Sequence, residues 1–137
     1  MQNKISEYLF TKTGVPKVQK HLDLAAARQK LIAGNIANSS TKGYRARDIN
    51  FQEEFNRATG KTSRIPGATT HSKHIPLGQH KNRAPEVDEQ KVKNGDLNSV
   101  DIDKEMSSMA QNNLLFTISA TMLQRKFDGI RKVISSR

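Results

Sequence analysis

Along the last third of the chain, Met106, Met109, Asn113, Phe116, Ala120, Leu123, Phe127, Ile130 and Ile134 follow one another in alternating steps of three and four. Seven residues nearly complete two helical turns, so this spacing is a heptad seam that keeps one helix face against a neighbour. Leu115, Ile118 and Met122 form a second apolar row beside it, which widens the face beyond what a two-stranded coiled coil buries. The pattern predicts a long C-terminal helix with two or more neighbours. Asp101 stands where it can cap the first free amides, and Asp103 and Glu105 put negative charge at the positive end of the helix dipole. Arg125, Lys126, Arg131 and Lys132 complement the opposite end.

A matching helix is written near the N-terminus, where Val18, Leu22, Ala25, Gln29, Ile32 and Ile36 again step by four and three, with Leu24 and Leu31 alongside. Gly14 and Pro16 separate it from a shorter apolar-periodic piece around Ile5, Tyr8 and Leu9, so a kink or short loop is expected there. Gly43 supplies the permissive residue expected just past a helix end.

Between these helices periodicity fails. Residues 60 to 97 hold three of the four prolines, four of the eight glycines and three of the four histidines, which is the composition of loop or weak strand. Ile75, Leu77, Val87 and Val92 are the residues able to anchor short extended pieces. The expected fold is therefore all-α, with long N- and C-terminal helices packing as a coiled-coil-like pair around an irregular or weakly β middle. Its organisation is an N-terminal helical segment over 1–59, a variable flexible middle over 60–97 and the heptad helix over 98–137.

Composition changes this picture in two ways. With 34% hydrophobic residues and no Trp in 137, a solitary core would be thin, so burial is expected to draw on partners. The net charge of +10 raises nucleic acid or an anionic surface as a partner. Counted along the chain, however, the excess is +5 over residues 1–59, +3 over 60–97 and +2 over 98–137, with no dense basic block. Only seven aromatics are present to stack on bases, none of them between residues 60 and 97. A basic helical nucleic-acid-binding protein stays as the alternative from another class, to be separated by the salt dependence of duplex binding.

Candidate chemistry adds little. With no cysteine, disulfides and thiolate metal sites are excluded. His71, His74 and His80 are the nearest approach to a metal cluster, on a loop that offers no fixed helical face. Asp101, Asp103 and Glu105 are explained as helix-terminal charges rather than paired catalytic carboxylates. Ser39, Ser40 and Thr41 beside Lys42 and Gly43 lack the Gly-rich approach and residue order of a phosphate loop. No catalytic residue, cofactor, metal or small-molecule substrate is expected. Met1 to Phe10 lacks an apolar stretch long enough for a secretory signal, so an exported chain would need another route.

The segment Gly34-Asn35-Ile36-Ala37-Asn38-Ser39-Ser40-Thr41-Lys42-Gly43-Tyr44, continued as Arg45-Ala46-Arg47-Asp48-Ile49-Asn50-Phe51, resembles the N-terminal signature of bacterial flagellar rod, hook and hook-associated proteins. Together with Asn98-Ser99-Val100-Asp101-Ile102-Asp103-Lys104-Glu105 and Ala110-Gln111-Asn112-Asn113, and the short length, it is similar to the proximal rod subunits of the flagellar basal body rod protein family, with another short rod protein or an adaptor at the rod base as the nearer alternative. Gly34 stands where that family more often has Ala or Asn, and Lys42 where it often has Pro.

The resemblance implies an axial tubular assembly in which the terminal helices of many copies pack together. The partners would be copies of the chain, neighbouring rod proteins, the membrane-ring base and components of the export gate. It implies export by the flagellar type III apparatus to a periplasmic rod, without a cleavable signal peptide. Read physically, Asn35 and Asn38 can bond backbone groups as the chain turns, Gly43 permits positive φ, and Tyr44 anchors the exit. The expected assembly interface comprises Asn35, Ile36, Ala37, Asn38, Thr41, Gly43 and Tyr44, with Met109, Asn113, Phe116, Leu123, Phe127 and Ile130 of the C-terminal seam. Asn113 is expected to set register as a polar residue within that seam.

Overall fold

A computed structural model describes residues 13–60, 84–91 and 98–135. Helix α1 runs over Val15–Ala37. Its first turn accommodates Pro16, where a missing N–H breaks no helical bond, and it follows Gly14 at φ 73°. The stripe predicted for it faces inward: Ala25 and Ile32 are buried, and Val18, Leu22, Gln29 and Ile36 are half-buried. The helix ends at Ala37, where the Asn38 N–H donates to the carbonyls of Gly34 and Asn35. Gly43 lies six residues beyond that end, at φ 76°, so it serves the turn that follows rather than the helix cap itself.

Helix α3 spans Ile102–Ser135. Asp101 begins it as the charge pattern predicts, its Oδ1 accepting the Lys104 N–H at 3.1 Å. The two long helices run antiparallel: Thr13 meets Lys126, His21 meets Ser119, and Ala25 meets Asn112. At about 1.5 Å per residue, α3 is roughly 50 Å long and α1 about 35 Å, so α3 overhangs its partner.

A third helix, α2 over Phe51–Ala58, lies within the N-terminal segment 1–59, where periodicity predicts none. Its cap was legible in Asn50 followed by Glu53, and the Glu53 N–H donates to Asn50 Oδ1 at 3.3 Å. Two turns are too few for a periodic stripe to stand out. Phe51 and Phe55 pin α2 to α1 by flanking His21, with ring centroids 4.7 and 5.4 Å away.

The weak β character expected of the middle is a two-residue ribbon. Strand β1, Arg47–Asp48, pairs antiparallel with β2, Asp88–Glu89, setting Arg47 opposite Glu89 and Asp48 opposite Asp88. The Gln90 N–H extends it by donating to the Ala46 carbonyl at 2.8 Å. Buried Glu54 then ties this part of the middle to α2, accepting the Glu86 N–H at 3.2 Å and pairing with Arg57 at 3.0 Å. Val87, expected as an apolar anchor, is exposed. Ile75, Leu77 and Val92 lie outside the described residues. The buried apolar core among the described residues is Val15, Leu24, Ala25, Ile32, Ala46 and Ile49, which is thin for two helices of this length.

Candidate assembly interface

The signature turn folds back on the end of α1 and is held by side-chain amides. Asn35, fully buried, donates from Nδ2 to the Arg47 carbonyl at 2.8 Å and accepts the Arg47 N–H on Oδ1 at 2.9 Å. The carboxamide thus imitates one rung of a β-ladder, satisfying a backbone pair that would otherwise be buried without partners. The Tyr44 hydroxyl donates to the same Oδ1 at 3.3 Å. Asn38 Nδ2 donates to the Gly34 carbonyl at 2.8 Å, which also accepts the Asn38 backbone N–H, and Thr41 Oγ1 donates to Asn38 Oδ1 at 3.3 Å. Ile36 is half-buried, and Ala37, Thr41 and Gly43 are exposed.

The second segment that carries the resemblance closes the turn from the far end of the chain. Asn98 Nδ2 donates to the Ser39 carbonyl. The Ser99 N–H donates to the Tyr44 carbonyl at 3.1 Å, and Ser99 Oγ accepts the Ala46 N–H at 2.7 Å. Beside this clasp, Arg28 grips Asp48 with two parallel bonds of 2.8 Å. The hydrogen bonding that Arg28 donates to Asp48 is the first cause raising the Arg28 pKa, helped by the attraction of Asp48 and Glu105 and opposed by burial.

The C-terminal seam differs from the periodic expectation in its roll. The line of α3 that faces α1 is Glu105, Asn112, Ser119 and Lys126, spaced by seven: the first three are buried and Lys126 is half-buried. Met109, Leu123 and Ile130 flank this line and are half-buried, as the seam predicted. Asn113 is exposed, and Asn112 occupies the interior position expected for it. Phe116 and Phe127 stay 43% and 48% exposed, and Met106 and Ile134 are exposed with them. Relative to the centre of the predicted seam, α3 is therefore turned by roughly 70°, less than one 100° residue step. On the opposite side of the α1 contact, Leu115, Ile118 and Met122 are exposed as well.

Polar partners on α1 and at Thr13 just before it account for that roll. Asn112 Nδ2 donates to the Ala25 carbonyl at 2.9 Å and to Gln29 Oε1 at 2.8 Å. Ser119 Oγ lies 2.8 Å from His21 Nδ1, and Lys126 Nζ donates to the Thr13 carbonyl at 2.6 Å. His21, which sequence reading passed over, joins all three helices, and burial lowers its pKa from 6.5. Its only signal in the sequence was a lone imidazole one residue before the Leu22 of the stripe.

Among the described residues no group of three or more His, Asp or Glu is placed to hold a metal. His71, His74 and His80 lie outside the described residues. A shallow groove between α1 and the segment before β2 is walled by Ala26, Ala27, Leu31, Ile49, Pro85 and Val87, and only Asp23 and Lys30 bring charge to it. No helix among the described residues is long and apolar enough to cross a membrane.

A clasped helical hairpin that keeps apolar rows uncovered on both sides of its longer helix is an assembly subunit: contiguous exposed apolar surface marks a face meant for burial by another chain. No family model matches the sequence. Flagellar basal body rod protein FlgB of Salmonella typhimurium is 35% identical over 124 residues, covering 85% of this chain and 88% of that protein. FlgB of Escherichia coli is 34% identical over 126 residues, covering 86% and 90%, and FlgB of Bacillus subtilis 30% over 130 residues, covering 93% and 96%. The chain belongs to the FlgB family of flagellar basal body rod proteins. These relatives give the nucleic-acid alternative no support.

Proposed function

We propose that this protein is a structural, non-catalytic subunit of the proximal rod of the bacterial flagellar basal body, building the rod with copies of itself and with neighbouring rod proteins. The observation that carries the reading is the uncovered apolar surface of α3, with Phe116 and Phe127 on one side of the α1 contact and Leu115, Ile118 and Met122 on the other. Burying such side chains contributes about 1.5–3 kcal/mol each. Two apolar flanks on one helix suit a subunit held between two neighbours, as a tube wall requires. At its base the rod would meet the membrane-ring base and the export gate, and the subunit would reach the periplasmic rod through the flagellar type III apparatus.

Within this reading the signature residues Asn35, Asn38 and Tyr44 act first inside the subunit, by shaping the clasp, while the exposed Ala37, Thr41 and Gly43 remain available to a neighbour. Met109, Leu123 and Ile130 border the hairpin seam, and Asn113, Phe116 and Phe127 face outward to the next subunit. Phe116→Asp and Phe127→Asp test the proposal, since both positions are exposed and a charge there spares the hairpin while opposing burial in an assembly. Both variants are expected to remain folded, by circular dichroism and thermal melting, yet to be absent from isolated basal bodies. Incorporation of both at the unmodified level would refute the assembly face.

A further inference from the structure

Along its most buried line helix α3 presents polar groups to α1, with Met109, Leu123 and Ile130 half-buried beside it, while Leu115, Phe116, Ile118, Met122 and Phe127 stay exposed, which is not what burial alone would select. Its contact line is polar at four successive heptad positions, and each meets a different chemistry on the α1 side. The Glu105 carboxylate attracts Arg28, Asn112 bonds Ala25 and Gln29, Ser119 meets His21, and Lys126 caps the Thr13 carbonyl. Asn112 is the most enclosed of the four, at 1% exposure. Its Oδ1 is buried and accepts no hydrogen bond among the described residues, a cost in stability that a leucine there would not carry.

We infer that Asn112 is the specificity-determining residue of the hairpin: with Ser119 and Lys126 it fixes the roll and register of the distal half of α3 on α1, and so decides which apolar flank is offered to a neighbouring subunit. The clasp at Asn98 and Ser99 fixes only the start of α3, and Asn112 lies nearly three helical turns beyond Ile102. Past that point apolar side chains lie on both sides of the contact line, from Leu115 and Met122 round through Leu123 to Phe127, so apolar burial alone does not single out one roll. A polar rung interrupts this surface at the contact, and only one roll gives its amide group both acceptors. This is pairing specificity obtained at the expense of stability.

The part of this inference that concerns the neighbouring subunit rests on the proposed rod function; the part that concerns roll and register does not. The full chain contains no cysteine, so Lys17→Cys and Gln124→Cys, both at exposed positions, place two spin labels across the distal half of the hairpin. Electron–electron distance measurement on the doubly labelled protein is expected to give a single narrow peak. Adding Asn112→Leu is expected to raise the melting temperature while the peak broadens or splits, whereas Met109→Leu, an apolar change beside the line, leaves one peak. A single unchanged peak with Asn112→Leu would overturn the inference whatever its melting temperature. Incorporation into basal bodies is scored separately: failure of the unlabelled wild-type chain to enter them would count against the rod function and leave the distance result standing.

Discussion

Asn35 and Arg47 are joined by two hydrogen bonds, the side-chain amide of one to the carbonyl of the other at 2.8 Å, and the backbone N–H of the second to the amide oxygen of the first at 2.9 Å. A helix and the extended segment after it are thereby coupled by a side chain acting as a strand. The pairing sits at the foot of α1, so β1, α2 and the Asn98–Ser99 segment all depend on it for position.

Asn35→Ala removes both bonds and strands the Arg47 backbone groups, and it is expected to destabilise the protein by about 2–3 kcal/mol in urea unfolding. Asn35→Asp, although isosteric, is expected to do no better at neutral pH, because a buried carboxylate would face the Arg47 carbonyl. A loss below about 0.5 kcal/mol for both would mean that water replaces the amide without cost.

The Arg28–Asp48 fork is geometrically specific, with side chains 20% and 36% exposed. Arg28→Lys keeps the charge but cannot make two parallel bonds, so a loss on the order of 1 kcal/mol is expected. Solvent screening moderates the charge contribution, and added salt is expected to narrow the difference between variant and wild type.

His21 gives stability a pH dependence of defined sign. Burial lowers its folded pKa below 6.5, so on acidification the unfolded chain takes up the proton first. The contribution is complete above about pH 6.5, declines as pH falls from there through the lowered folded value, and is level below it. Thermal melts of His21→Gln are expected to lack this component between neutrality and mild acid, and an identical pH profile for wild type and variant would exclude His21 as its source.

Two glycines respond oppositely to alanine. Gly34 lies in helical backbone, and an added Cβ would come only to ordinary contact, 3.8 Å from the Tyr44 hydroxyl, so Gly34→Ala is expected to stabilise by up to about 1 kcal/mol. Gly43 sits at φ 76° with open space around it, and Gly43→Ala is expected to cost about 1 kcal/mol through backbone strain alone. Gly43→Asn should recover part of that loss, because asparagine tolerates the left-handed region. The comparison is read from melting temperatures of the three variants.

The sequence by itself determined the two long helices, the start of α3 at Asp101, the turn after α1 and the amide-rich character of that turn. These follow from local spacing and from backbone chemistry acting over a few residues. It also placed the chain in a family through two motifs that the fold brings together at Ser39, Tyr44, Asn98 and Ser99. Only the tertiary structure decided that Asn112 rather than Asn113 enters the seam, that Phe116 and Phe127 face outward, that α2 docks on His21, and that Glu54 and Ala46 tie the segment before α3 to the N-terminal half. The reason is physical. A stripe of hydrophobic residues as wide as that of α3 is compatible with several rolls, and the choice among them falls to hydrogen-bond partners 83 to 113 residues away in the chain, which no local periodicity encodes.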